Sequence, residues 1–277
     1  MYTKGDFHLH TNASDGGYSP EDLIELVSKE GFDIMSITDH DTLDSVERGI
    51  KYGTKLGIKV IPGIELSTMY KGETIHILGY FRDDNYKSKD FNNFLIGMGE
   101  YRIYRGKKII ENLKKYFHIE VSYEKVVESA KGVIARPHIA KAIIDKGYNY
   151  TWKYIFDNIL GKDSPAYIPN KKIDVSEGIQ MLKDLNAVVV LAHPVLIKNS
   201  SIDEMMQFDF DGIEAIYPLN SKEDEKKFLD TAKKYNKFIT AGSDFHGLGK
   251  NDTTHGKPGD ICLEGKRLCA FLSALNL

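Results

Sequence analysis

The chain has 277 residues, of which 42% are hydrophobic and 28% charged, and its formal net charge at pH 7 is −3. This composition is ordinary for a globular protein with room for one barrel-sized domain, and it excludes a chain that is basic throughout. No apolar run approaches the roughly 20 residues that a membrane span needs. The two cysteines, Cys262 and Cys269, show no metal-knuckle spacing. We therefore expect a cytoplasmic protein that makes no membrane contact and keeps reduced thiols in its core.

Predicted strands and helices alternate over the first 80 residues. A strand is predicted at 5–10, and a helix begins at Ser19-Pro20, where a capping hydroxyl precedes a proline. The other predicted elements of this part are a strand at 32–38, a helix at 43–56, and strands at 59–67 and 74–80.

Helical patterns replace the strands between residues 81 and 164. The predicted helices cover 90–116, 122–131, 137–146 and 151–160. Residues 81–170 contain 16 Lys and Arg against 11 Asp and Glu, whereas the rest of the chain carries a net charge of −8. A basic segment on an acidic body suggests contact with an anion, although solvated helix faces explain the charge equally well.

The strand–helix pattern resumes after residue 164. Its predicted elements are a helix at 175–185, strands at 187–192 and 212–216, a helix at 224–235 and a strand at 237–241. The pattern predicts an α/β fold whose parallel sheet is closed or partly closed by helices. The predicted domains are a barrel formed by 1–80 and 165–277 and a helical cap inserted at 81–164.

Histidines and carboxylates collect at the ends of the predicted strands. His8 and His10 share one strand face because side chains alternate, and Asp244 and His246 repeat that spacing. The candidate metal ligands are His8, His10, Asp15, His40, Glu65, His76, His193, Asp244 and His246. The carboxyl ends of barrel strands form the rim where active sites are built. Nine such residues exceed the needs of one ion and predict a multinuclear metal site.

Taken singly, each candidate has an ordinary explanation. A lone histidine is often a hydrogen-bonded structural residue, and an aspartate is often a turn or cap residue. We expect His118 and His255 to lie outside the site. His255 follows His246 closely enough in sequence for a place at the edge of the site.

The candidates fall in an ordered set of motifs. These are His8-x-His10, Thr38-Asp39-His40-Asp41, Pro62-Gly63-x-Glu65, His76-x-x-Gly79, Ala192-His193-Pro194 and Gly242-Ser243-Asp244-x-His246. The set resembles that of the PHP (polymerase and histidinol phosphatase) superfamily over nearly all of the barrel. The stretch Arg136-Pro137-His138 resembles the branch with a helical cap, which includes nucleoside 3′,5′-bisphosphate phosphatases and 5′→3′ exoribonucleases acting on short RNA.

The resemblance implies a distorted (β/α)7 TIM-like barrel that holds three divalent metal ions. By position, the implied ligand sets are His8, His10, Glu65 and Asp244; Glu65, His76 and His193; and Asp15, His40 and His246. Imidazole admits zinc, iron and manganese, and the carboxylates favour manganese, so the residues do not select one metal.

The chemistry expected of this site is phosphoester hydrolysis by a metal-activated water molecule. The chain contains no Gly-x-Ser-x-Gly elbow and no phosphate-binding P-loop that would indicate a different mechanism. Asp39 either orients the neighbouring ligand His40 or serves as an ordinary cap.

Arg136 and His138 are the candidate residues for binding a second substrate phosphate. A guanidinium suits phosphate oxygens, and the helix that Pro137 begins adds N–H donors. The alternative is a surface helix with an incidental arginine.

Three hypotheses of function follow. The first is a phosphatase or exonuclease acting on a nucleotide, such as a nucleoside 3′,5′-bisphosphate or a short 5′-phosphorylated single-stranded RNA. The second is a phosphatase of a small metabolite such as histidinol phosphate, which would leave the basic cap without a second phosphate. The third is a non-catalytic metal-binding accessory module, which the full ligand set disfavours. None requires an obligate protein partner.

Overall fold

The computed structural model describes residues 2–130, 134, 136–169, 171, 173–247 and 255–277. The chain divides into a barrel unit, Met1–Asn92 with Lys172–Leu277, and a helical unit, Asn93–Lys171. The predicted insertion at 81–164 starts 12 residues before the helical unit and ends 7 residues before its end. The predicted helix end at Lys131 lies outside the described residues. The role of the helical unit as a cap stays a prediction.

Eight strands form the sheet in the described part of the barrel unit. They are β1 (Lys4–Asp6), β2 (Ile34–Ile37), β3 (Lys59–Tyr70), β4 (Glu73–Phe81), β5 (Ala187–Leu191), β6 (Gly212–Ile216), β7 (Phe238–Ala241) and β8 (Leu263–Glu264). Their order in the sheet is β7-β6-β5-β4-β3-β2-β1-β8.

The described helices follow in chain order. They are α1 (Pro20–Lys29), α2 (Val46–Leu56), α3 (Lys89–Phe117), α4 (Tyr123–Ala130), α5 (Arg136–Asp145), α6 (Trp152–Tyr154), α7 (Val175–Asp184), α8 (Ile202–Met205), α9 (Lys222–Lys234) and α10 (Gly265–Ala274). Short 3₁₀ segments occur at Asp84–Lys87 and Pro194–Leu196, and a π-helical turn at Ile155–Ile159. Among the residues that the structure describes, no helix combines the length and the apolar character needed to cross a bilayer.

Strand β4 departs from the parallel sheet that we expected. It pairs antiparallel with both β3 and β5, whereas the pairs β1–β2, β2–β3, β5–β6 and β6–β7 are parallel. Only Lys71 and Gly72 separate β3 from β4, and both have positive φ. A parallel connection needs a crossover of about a dozen residues or more, so a two-residue turn can only form a hairpin.

The two ends of the sheet meet through the segments that follow β1 and β7. The Phe7 N–H donates to the Ala241 carbonyl at 3.2 Å, and the Asp244 N–H donates to the His8 carbonyl at 2.9 Å. Leu9 forms a parallel bridge with Phe245. The sheet is therefore nearly closed into a barrel, which confirms the predicted α/β, distorted TIM-like fold.

Helix α10 was not among the predicted elements, and it packs on the barrel core. The Phe271 ring meets the Phe7 ring edge-on at 4.7 Å between centroids, and the Tyr80 ring at 5.0 Å. Cys269 lies exposed on this helix and Cys262 is half-buried. The expectation that both thiols lie in the core is therefore wrong for Cys269.

Candidate metal centre

Glu65 on β3 lies at the centre of the predicted site and is completely buried. Its two carboxylate oxygens lie 2.8 to 3.2 Å from ring nitrogens of five histidines. These histidines are His8, His10, His40, His76 and His193. Because they come from the ends of several different strands, the barrel brings together residues that are far apart in sequence.

Asp244 forms one flank of the centre. Its Oδ1 lies 3.1 Å from His10 Nε2 and 3.4 Å from His8 Nε2, while its Oδ2 accepts a hydrogen bond from the Tyr217 hydroxyl at 2.8 Å. Tyr217 was not predicted as a site residue, because it is one tyrosine among 16 and follows a strand without a neighbouring motif. One carboxylate oxygen is thus held by the protein and the other faces the imidazoles.

Asp15 forms the opposite flank. Its Oδ1 lies 3.2 Å from His246 Nε2, and its Oδ2 lies 3.7 Å from His40 Nε2. His246 Nδ1 lies 2.8 Å from the Asp244 carbonyl oxygen. Since a carbonyl can only accept, Nδ1 carries the proton and leaves Nε2 free to bind a cation. The structure therefore brings all nine predicted ligands into one cluster.

His76 reaches this cluster because β4 is antiparallel. The active rim collects the carboxyl ends of the parallel strands, and the amino end of an antiparallel strand lies at that same rim. His76 is the fourth residue of β4 and pairs with Ser67 near the end of β3. The hairpin thus explains how a histidine inside a strand joins histidines that follow strands.

The segment after β7 approaches β1 closely. A Cβ added to Gly242 would lie 2.2 Å from His8 Cβ and 2.6 Å from Glu214 Oε1, so only glycine fits there. Asp244 has a φ of 53°, a left-handed conformation that is costly for a residue with a side chain. This backbone geometry turns the Asp244 carboxylate toward His8 and His10, which follow β1.

Glu214 on β6 is a buried site residue that the sequence analysis missed. Its Oε1 lies 2.9 Å from His8 Nδ1, and its Oε2 accepts a hydrogen bond from the His193 backbone N–H at 2.7 Å. The carboxylate is fully buried. The one available signal was an acid inside the otherwise apolar strand sequence Gly-Ile-Glu-Ala-Ile. By contacting Nδ1 of His8, Glu214 orients the ring so that Nε2 faces the centre, and it also fixes the backbone of His193.

Asp39 connects to the turn that carries Asp15. Its carboxylate accepts hydrogen bonds from the Thr11 backbone N–H and hydroxyl, each at 2.7 Å, and from the Ser14 hydroxyl at 2.6 Å. The Ser45 hydroxyl donates a further bond. Asp39 therefore holds the turn at residues 11–15, and an effect of Asp39 on catalysis stays a prediction.

His255 lies against the centre, contrary to our expectation. Its ring stacks on the His246 ring with 4.0 Å between centroids, and His246 stacks in turn on His10 at 4.1 Å. The Gly256 N–H donates to the Ser243 carbonyl at 2.8 Å and anchors this segment. His118 lies in the helical unit and is exposed, as the sequence analysis expected of a histidine outside the site.

Burial and charge act in opposite directions on these groups. Burial lowers the pKa of His8, but the carboxylates of Glu214, Asp244 and Glu65 outweigh burial and hold it well above its ordinary value. Burial also lowers the pKa of His10, but the close carboxylates of Asp244 and Glu65 raise it to about 10. Burial raises the pKa of Glu65, but the surrounding imidazoles hold it well below its ordinary value. The centre thus favours positive charge, whether protons or metal ions supply it.

The residues of the centre fit divalent cations. Several buried ligand atoms have no hydrogen-bond partner within the described part of the chain, namely His8 Nε2, His10 Nε2, His40 Nδ1 and Glu65 Oε2. Four sets of described residues each offer ligand atoms within 4.8 Å of one another. The sets are His8, His10, Glu65 and Asp244; His10, Asp15, His40 and His246; His40, Glu65 and His76; and Asp244, His246 and His255. Imidazole with carboxylate is a donor set for manganese, iron or zinc.

Arg136 and His138, the predicted phosphate-binding residues, lie in the first turn of α5 in the helical unit. The Arg136 guanidinium donates to the Leu160 carbonyl at 3.3 Å and lies 5.8 Å from the centre of the Tyr167 ring. The His138 side chain is half-buried.

A second arginine lies close to Arg136. Arg105 on α3 is 7% exposed, and its Nε donates to the Ile168 carbonyl at 2.8 Å. Burial and the charge of Arg136 together lower the pKa of Arg105. Within the described residues, neither guanidinium forms an ion pair with a carboxylate. The helical unit therefore holds two positive charges whose mutual repulsion an anion would relieve.

An α/β barrel with imidazoles and carboxylates gathered at its carboxyl rim defines a metal-dependent hydrolase. Residues 6–160, more than half of the chain, match the PHP domain family. The chain belongs to this family and is a metal-dependent phosphoesterase.

Known relatives cover most of the chain. A 5′-3′ exoribonuclease Rnm of Salmonella typhimurium is 28% identical over 250 residues, covering 87% of this chain and 84% of the relative. A 3′,5′-nucleoside bisphosphate phosphatase of Chromobacterium violaceum is 23% identical over 264 residues, covering 92% of each. A solved structure from Bifidobacterium adolescentis, assigned as a metal-dependent phosphoesterase, has a TM-score of 0.77 at 26% identity and covers 98% of this chain and 96% of that protein.

Proposed function

We propose that this phosphoesterase hydrolyses phosphate esters of nucleotides, either nucleoside 3′,5′-bisphosphates or short 5′-phosphorylated single-stranded RNA. The observation that carries the proposal is that the chain has two features suited to phosphate groups. One is the nine-residue centre of the barrel unit, and the other is the arginine pair of the helical unit. The relatives named for nucleotide and RNA substrates support the choice, because each spans nearly the whole chain.

In this proposal the nine residues hold three divalent ions, of manganese, iron or zinc. Glu65 would help to hold two of them, because its oxygens face separate groups of histidines. Bound divalent ions supply the charge that activates a water molecule and neutralises the phosphoryl and leaving oxygens. The protein contributes the placement of the ligands, through the bonds that Glu214, Tyr217 and Asp39 make.

Arg136 and Arg105 bind a second substrate phosphate in this proposal, with His138 as a further donor. Guanidinium and phosphate form paired, charge-assisted hydrogen bonds, which are stronger than neutral ones. In the described structure both arginines donate to backbone carbonyls, which carry no net charge. A phosphate would supply the negative charge that balances the two guanidinium groups. A metabolite with one phosphate would leave this pair unused.

A substrate panel tests the proposal. We expect the purified protein, supplied with Mn²⁺ or Zn²⁺, to release phosphate from nucleoside 3′,5′-bisphosphate or to degrade 5′-phosphorylated oligoribonucleotides. Histidinol phosphate should turn over at least tenfold more slowly. Preferred turnover of histidinol phosphate would favour a small-metabolite phosphatase, and no turnover of any substrate with either metal would favour a non-catalytic module.

Replacing Arg136 with alanine should weaken substrate binding and leave the metal content unchanged. A charged hydrogen bond contributes about 1.5–3 kcal/mol, which corresponds to a roughly 10- to 100-fold rise in KM. Arg136→Lys keeps the positive charge but loses the paired N–H donors of the guanidinium group, so it should give an intermediate KM. Steady-state kinetics and elemental analysis on the same samples make the comparison, and loss of bound metal in Arg136→Ala would show that the residue is misplaced in this scheme.

A further inference from the structure

Three tyrosine rings of the helical unit form a column. The Tyr148 and Tyr150 rings lie within 15° of parallel at 6.5 Å between centroids, and the Tyr150 and Tyr154 rings within 5° at 5.4 Å. The inner end is anchored, because the Tyr148 hydroxyl accepts a hydrogen bond from the Glu120 backbone N–H at 2.8 Å. The outer ring, Tyr154, is 47% exposed. The column therefore ends in a half-exposed ring, which offers aromatic surface to another flat ring.

A second aromatic pair lies on the same short stretch of chain. Trp152, on α6 with Tyr154, is 48% exposed, and its ring lies 5.3 Å from the Phe156 ring. Exposed apolar side chains that lie together mark contact surfaces, whereas single ones are common on any protein surface. Lys153 lies between the two exposed rings in sequence, and its side chain is 85% exposed.

The unit that carries these rings is basic. Asn93–Lys171 contains 14 Lys and Arg against 8 Asp and Glu, a net formal charge of +6, whereas the whole chain has a net charge of −3. A basic body with exposed aromatic rings is the combination that binds single-stranded nucleic acid. Phosphates meet the positive charge, and bases stack on the rings regardless of sequence. A protein partner would need neither the ring column nor this excess charge.

We propose that Tyr154 and Trp152 form a stacking surface for unpaired bases of single-stranded RNA, apart from the residues that bind the hydrolysed phosphate. This rests on the proposed function and sharpens it, since a row of exposed rings can stack several bases of an oligoribonucleotide and at most the single base of a mononucleotide. It predicts binding that strengthens with RNA length, because only a longer strand can reach additional rings.

The chain contains a single tryptophan, Trp152, so intrinsic tryptophan fluorescence reports on this surface directly. The metal-loaded protein is titrated with 2′-O-methyl oligoribonucleotides of increasing length, which resist hydrolysis. We expect saturable quenching by single strands of five or more nucleotides, and little quenching by a mononucleotide or by a duplex of the same sequence.

Variants of Tyr154 separate stacking from other causes of quenching. Because Tyr154→Ala removes the ring on which a base would stack, we expect its affinity for oligonucleotides to fall roughly 10-fold or more. Tyr154→Phe keeps the ring and should bind with nearly the affinity of the unchanged protein. Tyr116→Ala is the matched control, since Tyr116 is also 47% exposed and lies in the same unit. It should bind RNA as the unchanged protein does.

Hydrolysis of nucleoside 3′,5′-bisphosphate, measured on the same proteins, keeps the two proposals apart. Tyr154→Ala should retain mononucleotide turnover while its KM for a long RNA rises. Quenching that is independent of length, equal with duplex, or unchanged in Tyr154→Ala overturns the stacking surface and leaves the proposed function standing. Failure of the unchanged protein to hydrolyse any nucleotide overturns the proposed function, whatever the fluorescence shows.

Discussion

Glu65→Gln is expected to lose bound metal and phosphoesterase activity together. The two Glu65 oxygens face the nitrogens of five histidines inside a buried space. A glutamine of the same shape replaces one oxygen with an amide nitrogen, which has no lone pair for a cation and no negative charge. Loss of residues that only support a ligand costs about 10- to 100-fold in affinity or activity, so we expect more than about 100-fold here.

Elemental analysis and kcat/KM, measured at several metal concentrations, test this expectation. Glu223→Gln on α9 provides the control, because this side chain is exposed in the first turn of that helix. A Glu65→Gln protein that keeps its full metal content and folds normally would remove Glu65 from the proposed ligand set.

The second large effect is expected for Glu214→Gln, although Glu214 contacts no ion in the proposed scheme. Its two oxygens accept from two donors, His8 Nδ1 and the His193 backbone N–H. The backbone N–H cannot change its role, so the single oxygen of glutamine must accept from it. The new amide group then faces His8 Nδ1, which becomes an acceptor, and the ring proton moves to Nε2. That nitrogen faces Glu65 and Asp244, where it can no longer bind a cation.

We therefore expect Glu214→Gln to bind Mn²⁺ or Zn²⁺ about 10- to 100-fold more weakly, with the fold retained. Calorimetric titration of the metal-depleted protein measures the affinity, and circular dichroism checks the fold. Thr240→Val is a matched control, since Thr240 is also buried and lies opposite Glu214 in the β6–β7 register. Equal metal affinity in Glu214→Gln and Thr240→Val would contradict the tautomer argument.

The candidate ligands could be found in the sequence because metal chemistry restricts residue type and spacing. His8 and His10 share a strand face, and His40, Glu65, His193 and Asp244 each follow an apolar run that predicts a strand. Glu214 and Tyr217 could not be predicted as site residues, because their role depends on which strands become neighbours. An isolated acid in a strand gives no sign of its partner across the barrel.

The fold class could likewise be predicted from alternating strands and helices, whereas the direction of β4 could not be inferred from that alternation. The direction depends on the two-residue connection at Lys71-Gly72, whereas the predicted strands at 59–67 and 74–80 leave a longer gap between them. His255 shows the same limit, because contacts between a loop and a distant strand end leave no periodic pattern.

Closure of the sheet between β1 and the segment after β7 has a consequence for how the chain folds. The Ser243 N–H donates to the Asp6 carboxylate across 237 positions of sequence, so the centre exists only once these distant segments have met. Such distant contacts form slowly, because the entropy of closing a long loop must be overcome first. Ions that bind the closed barrel and not the open chain would shift this equilibrium by mass action. The metals proposed for catalysis would then also stabilise the closed barrel, by holding together the segments that follow β1 and β7.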